Sequence, residues 1–247
     1  MAVNRIEVWV KHLFVDVRRT LQIANVEQSI MIDDNKEVAM RRRGARTSHY
    51  YEMAFDYRPS RPRLKLENIA ALNPGRTILA PPPERRGFPE YSERPRFLFE
   101  KKRVRRPLDI REFHYFWLVS DRAKTVFQTV DHAGFEFTAC DVRVSRGIYD
   151  GPRYWLCDVT RVLDALDEKQ SRLEIGIRED PKYNDFGKKY YNLVGDAKLV
   201  FNEDAVGSAH IFRMAFCPMK VICDQALKDA CKAADLIGIK FNNALKI

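Results

Sequence analysis

The densest group of carboxylates in this 247-residue chain is Asp158, Asp164, Asp167 and Glu168. A helix would set Asp164 and Asp167 on one face, three residues apart. Acids paired in this way can hold a metal ion or divide general-acid and general-base work. Acidic side chains at a helix start also favour its dipole and cap its amides. No histidine lies nearby in sequence to complete a ligand set, so a structural role is preferred. Ser208 and His210 are close in sequence, but the Gly-x-Ser-x-Gly pattern of a nucleophile elbow is absent, and Gly207-Ser-Ala-His210 reads as a turn before a strand. The five cysteines, Cys140, Cys157, Cys217, Cys223 and Cys231, are an odd number without a Cys-x-x-Cys pair. That spacing suits neither a disulfide framework nor a zinc site, and it points to reduced thiols. There is no Gly-x-Gly-x-x-Gly and no Gly-Lys-Ser or Gly-Lys-Thr. The expectation is a protein that is not an enzyme and carries no metal or cofactor.

Short elements must position these residues. Ile6 to Lys11 alternates apolar and polar, and Leu13 to Val17, Thr20 to Ala24, Ser29 to Ile32 and Tyr50 to Phe55 read as further strands. Prolines crowd residues 58–96, including Pro81-Pro82-Pro83, and predict an extended, mostly irregular crossing with a short helix over Leu64 to Leu72. The second part is more regular. Trp117-Leu-Val-Ser-Asp121 leads into a helical pattern, then Gly134 and Phe135-Glu-Phe137. Lys220-Val-Ile-Cys-Asp224 leads into another, then Gly238 and Ile239-Lys-Phe241. With one extra residue in the second copy the two superimpose, with Asp121 and Asp224 as caps, Lys124 and Lys228 early in each helix, and a glycine suited to a left-handed stop. Between them Tyr154 to Thr160 reads as a buried strand and residues 161–171 as a helix. Leu173-Glu-Ile-Gly-Ile177 and a polar turn over 179–185 follow, and Ala197 to Phe201 and His210 to Phe216 read as strands. The expected fold is α+β in two lobes: a β-rich basic lobe over 1–100, and an α/β lobe over 101–247 holding the two strand–helix–strand units.

Charge separates the same two parts. Residues 1–110 hold 23 Lys+Arg against 14 Asp+Glu, and residues 111–247 hold 20 against 20. The net charge of +9 therefore belongs to the first part. Such a field attracts nucleic acid, an anionic surface or an acidic protein. No RNA-recognition, KH or helix-turn-helix pattern accompanies it, which makes nucleic acid the alternative partner and not the preferred one. The longest apolar runs, such as Tyr115 to Val119, fall far short of the roughly 20 residues of a membrane helix. The first residues also lack the pattern of a secretory signal, so a cytoplasmic protein without a membrane partner is expected.

Phe116-Trp-Leu-Val-Ser-Asp-Arg122, the tract Tyr154-Trp-Leu-Cys-Asp-Val-Thr-Arg-Val-Leu-Asp-Ala-Leu-Asp-Glu-Lys-Gln-Ser171, Ile211-Phe-Arg-Met214, Val221-Ile-Cys-Asp224 and Gly238-Ile-Lys-Phe241 together resemble "immunity family eleven", a family of bacterial polymorphic-toxin immunity proteins. The likeness covers roughly residues 100–247. It implies a binding protein that blocks a toxin domain delivered by contact-dependent or type VI secretion, and it supplies no catalytic residues. A cytosolic inhibitor suits a toxin that works inside cells, a nuclease among them. Specificity for one toxin needs surface that relatives do not share. The first lobe carries the unmatched sequence, the charge and interleaved aromatics, and Tyr and Arg are frequent interface anchors. Arg41, Arg42, Arg43, Tyr50, Tyr51, Tyr57, Arg61 and Arg63 are therefore the expected toxin contacts.

Overall fold

The computed structural model describes residues 49–58, 64–72, 86–100, 107–182 and 185–247, all within the unit Ser48–Ile247. Its strands, in chain order, are β1 (Tyr51–Phe55), β2 (Leu64–Leu66), β3 (Arg96–Phe99), β4 (Ile110–Phe113), β5 (Phe116–Ser120), β6 (Phe135–Val144) and β7 (Tyr154–Val159). They continue as β8 (Val162–Leu163), β9 (Glu174–Ile177), β10 (Lys189–Asn192), β11 (Ile211–Met214), β12 (Cys217–Cys223) and β13 (Ile239–Asn243). Among the described residues the α-helices are α1 (Asp121–Asp131), α2 (Glu203–Val206) and α3 (Gln225–Ala233). The fold is thus mixed α+β and mostly sheet. One sheet has the order β2-β3-β6-β7-β5-β4, a second β13-β1-β12-β11-β8, and β9-β10 form a separate hairpin.

The internal echo is real in the fold. Hairpin β4–β5, helix α1 and strand β6 make one unit; hairpin β11–β12, helix α3 and strand β13 make the other. In each, the strand after the helix runs parallel to the strand before it, with one antiparallel strand between them. That middle strand is β7 in the first unit and β1 in the second. The side chains correspond one for one. Ser120 caps α1 by accepting the Ala123 amide at 3.3 Å, and Asp224 caps α3 by accepting the Leu227 amide at 3.0 Å. One residue on, Asp121 accepts the Trp155 indole N–H at 2.6 Å, and Gln225 accepts the Tyr51 hydroxyl at 2.5 Å. Four residues past each cap, the Lys124 ammonium lies 3.2 Å from the Trp155 ring centre and that of Lys228 lies 3.5 Å from the Tyr51 ring centre. Trp155 and Tyr51 occupy matching places on the middle strands, opposite Val119 and Cys223, the residue before each cap.

The two copies therefore align on Ser120 and Asp224 with no extra residue, and Asp121 is the first helical residue of α1, not its cap. Gly134 and Gly238 match as well. Only Gly238 has positive φ, at 105°, and the left-handed residue that ends α3 is Asp235, at 48°. Both glycines make room for the other unit. A Cβ on Gly238 would lie 2.1 Å from the Ile110 carbonyl oxygen, and one on Gly134 would lie 2.5 Å from Ile211 Cγ2. Ile110 and Ile211 open the first strand of each unit, so each unit seats its first strand on the helix-to-strand turn of the other. Asp109 accepts the Ile237 amide at 2.9 Å and pairs with Arg122; Asp131 accepts the His210 amide at 2.9 Å and pairs with Arg161. The apolar faces of the helices, Ala123 and Phe127 on α1, Leu227 and Cys231 on α3, share one core with Tyr51, Trp117 and Val221.

Three expected elements differ. Leu64 to Leu72 is strand β2 followed by a turn, not a helix. Residues 161–171 form β8, a bridge and a turn instead of a helix, because β11 takes their backbone: Arg213 and Ala215 donate amides to the carbonyls of Arg161 and Leu163. Ala197 to Phe201 is extended but contributes only bridges, with Leu199 and Phe201 buried. The strands expected before Tyr50 lie outside the described residues.

Candidate binding surface

Tyr50 and Tyr51, expected at the surface, are core residues, each 8% exposed. Tyr50 packs edge-on against Phe201 and Phe212, and Tyr51 fills the matched position described above. Consecutive residues point to opposite faces, and here both faces are covered: Tyr50, just before β1, lies in the core with Phe201 and Phe212, and Tyr51 in the core with Trp117 and Val221. Tyr57 is at the surface, 62% exposed, and its hydroxyl donates to Glu112. Arg41, Arg42, Arg43, Arg61 and Arg63 lie outside the described residues.

The carboxylates that could do chemistry are not gathered into a site. Asp158 is fully buried on β7 between two guanidiniums, accepting from Arg86 and, at 3.1 Å, from Arg213; the Gly87 amide adds a third bond at 2.8 Å. Arg213 reaches further, to the carbonyls of Val159, Tyr115 and Pro218. Burial and the neighbouring Arg86 push its guanidinium down to about 10. Asp164 is exposed. Asp167 closes a turn by accepting the Lys169 and Gln170 amides, and Glu168 pairs with Lys189 and Tyr191. Among the described residues no group of His, Cys, Asp and Glu could hold a metal ion.

The five cysteines form no disulfide. Burial pushes Cys140 and Cys231 up to about 12, and Cys157 and Cys223 well above the ordinary thiol value, so each is held as the unreactive thiol. His210 Nδ1 lies 2.8 Å from Asp224, with no serine or cysteine among the described residues bonded to the pair. It occupies the place that Asp109 takes against Ser120 in the first unit, where the same two backbone positions also bond. That equivalence makes it part of the repeat.

Exposed apolar side chains gather on the β9–β10 hairpin and its flanks: Ile175, Ile177, Phe186 and Val194. A second set is Tyr115 and Met219, which the shared bonds of Arg213 to the carbonyls of Tyr115 and Pro218 bring together. Nothing local in Leu173 to Ile177 marks it as a strand with one open edge. No helix among the described residues is long and apolar enough to cross a membrane. No curated protein matches the chain. The immunity protein family Imm11 matches residues 35–246, starting well ahead of the resemblance noted from residue 100 and taking in β1, the middle strand of the second unit. The chain belongs to the immunity protein family Imm11.

Proposed function

We propose that this chain binds a cognate antibacterial toxin, delivered by type VI or another contact-dependent secretion route, and neutralises it in the cytoplasm by occupying its surface. The observation that carries this reading is the family match over nearly the whole chain. It is supported by the way Asp158, Asp167 and Glu168 are committed to ion pairs and a turn, and Cys157, Cys223 and Cys231 to the core. A toxin acting inside cells, such as a nuclease, fits an inhibitor with reduced thiols. The contact set comprises Tyr57 and the basic residues Arg41, Arg42, Arg43, Arg61 and Arg63, where charge would speed encounter with an acidic surface. Tyr50 and Tyr51 leave the set because they are buried. A stable complex would cover about 1,600 Å² in total.

The test takes the product of the neighbouring gene as the candidate toxin. Co-expression should restore growth, and calorimetry should give one-to-one binding. Reversing Arg41, Arg42 and Arg43 to Glu should weaken binding at least tenfold and flatten its salt dependence. Unchanged affinity and salt dependence would move the contact elsewhere. Asp164→Asn with Asp167→Asn should leave protection intact, since neither side chain is placed for catalysis.

A further inference from the structure

The β9–β10 hairpin leaves an unusual strand edge. Tyr191 donates its amide outward from the hairpin, to the Phe216 carbonyl at 2.9 Å, so Ile175 and Tyr191 form a pair that exchanges no backbone bonds with each other. Two residues on, Ile177 and Lys189 form the next such pair. The N–H and C=O groups of Ile175 and Ile177 consequently point away from β10, along the outer edge of β9, where the described residues supply no partner. Both side chains lie on one face and stay exposed, at 42% and 54%. Folded proteins usually blunt such an edge with proline, lysine or a covering loop. Here the strand is Glu174-Ile-Gly-Ile177, apolar at both outward-bonding positions.

The sequence around this edge is complementary to itself. With Gly176 as centre, residues equidistant on either side are Ile175 and Ile177, Glu174 and Arg178, and Arg172 and Asp180. We propose that β9 pairs antiparallel with β9 of a second copy of this chain, about a two-fold axis through Gly176. Ile175 of one copy then exchanges two backbone bonds with Ile177 of the other, and the two-fold repeats them, giving four. Four isoleucines meet on one face, as in other isologous contacts. On the opposite face Glu174 stands across from Arg178 in both halves, an opposite-charge pair at each end. Glu174 is already oriented by Asn192 at 2.7 Å, and Arg178 is held over the Tyr190 ring, 4.2 Å from its centre, and by Asp185. Gly176 suits the centre because Tyr190 lies over it; a Cβ there would be 2.6 Å from that ring. Two hairpins become one four-stranded sheet. A four-residue edge is below the standard interface size, so dissociation in the micromolar range or weaker is expected.

Sedimentation of the full chain over a wide concentration range tests this, with thermal unfolding of each variant as the control for folding. The mass should rise from 28.9 kDa towards twice that value. Ile177→Pro removes an outward amide that the hairpin does not use, and should raise the dissociation constant at least tenfold without lowering the melting temperature. Glu174→Arg and Arg178→Glu should each weaken the dimer, and the double swap should restore it. A chain that stays at its monomer mass at every concentration overturns the proposal. If Ile177→Pro then also weakens toxin binding, the edge belongs to the toxin. A dimer untouched by Ile177→Pro, or one that the double swap does not rescue, overturns the two-fold at Gly176.

Discussion

Asp158 shows how a residue can look chemical in sequence and be structural in the fold. It sits in the strand Tyr154–Val159, six residues ahead of Asp164, but its partners Arg86 and Arg213 are 72 and 55 positions away, out of reach of any local pattern. Two buried cations share this one carboxylate. Removing it leaves both guanidiniums without a counter-charge, and breaking a buried pair in this way costs about 3–5 kcal/mol. Asp158→Ala should lose that much in chemical denaturation. Arg86→Met, which leaves Asp158 paired with Arg213, should lose clearly less. Asp131 gives a pH signature. Burial alone would raise its carboxyl, but the bonds from Arg161 and from the amides of His210 and Ile211 outweigh it and hold it below the ordinary carboxylate value. A group depressed in the folded state stabilises fully above its unfolded value, and that contribution is lost as pH falls through the folded one. The stability gap between the native chain and Asp131→Asn should thus be constant near neutrality and narrow below about pH 4. Equal gaps at pH 7 and pH 3 in urea titrations would contradict this assignment.

The elements were legible where one pattern governed them. Strands β5 and β7, both long helices and the echo between the two units all follow from apolar runs, cap residues and a glycine at fixed spacing. The register was read one residue off because Ser120 and Asp121 are both good cap formers, and only the bond from Ala123 selects Ser120. Helix α2, a single turn capped by Asn202, is too short for periodicity to reveal. The helix expected over 161–171 gives way because a helix there would leave the amides of Arg213 and Ala215 on β11 without acceptors. At this scale Asp224→Ala and Ser120→Ala should each cost about 1 kcal/mol, as lost caps do. The two glycines should separate. Gly238→Ala forces a side chain into positive φ and against backbone, whereas Gly134→Ala meets only side chains, the Cγ2 methyl of Ile211 and the carboxyl of Asp131. The first should cost more than about 2 kcal/mol and the second less, because a side chain can shift and a carbonyl in a strand cannot. Thermal unfolding of the two single variants measures the order directly.

The whole molecule depends on a pairing that no local signal announces. β1 lies between β12 and β13, joining residues 51–55 to residues 217–243, and it places Tyr51 and Met53 in the core shared by both units. The sequence boundary at residue 100 follows the change in charge and proline content, which are surface and linker properties; strand order is decided by which apolar faces need cover. A fragment of residues 101–247 keeps both helices and the repeat pattern but loses β1, β2 and β3. Its β12 and β13 would each show an unpaired edge, and Gln225 and Lys228 would lose the Tyr51 ring they hold. Burying Tyr51 and Met53 contributes roughly 1.5–3 kcal/mol each, before the lost ladder bonds on both sides of the strand are counted. Domains are stable by only about 5–15 kcal/mol, so a loss of that order is a large fraction of the total. The fragment 101–247 is therefore expected to show no cooperative thermal transition and to aggregate through its open edges, while residues 48–247 unfold in a single sharp step. Adding a peptide of residues 49–57 to the fragment should recover part of the transition, since the strand it supplies pairs on both sides. A cooperative transition for 101–247 alone would show that the second unit closes its sheet without β1.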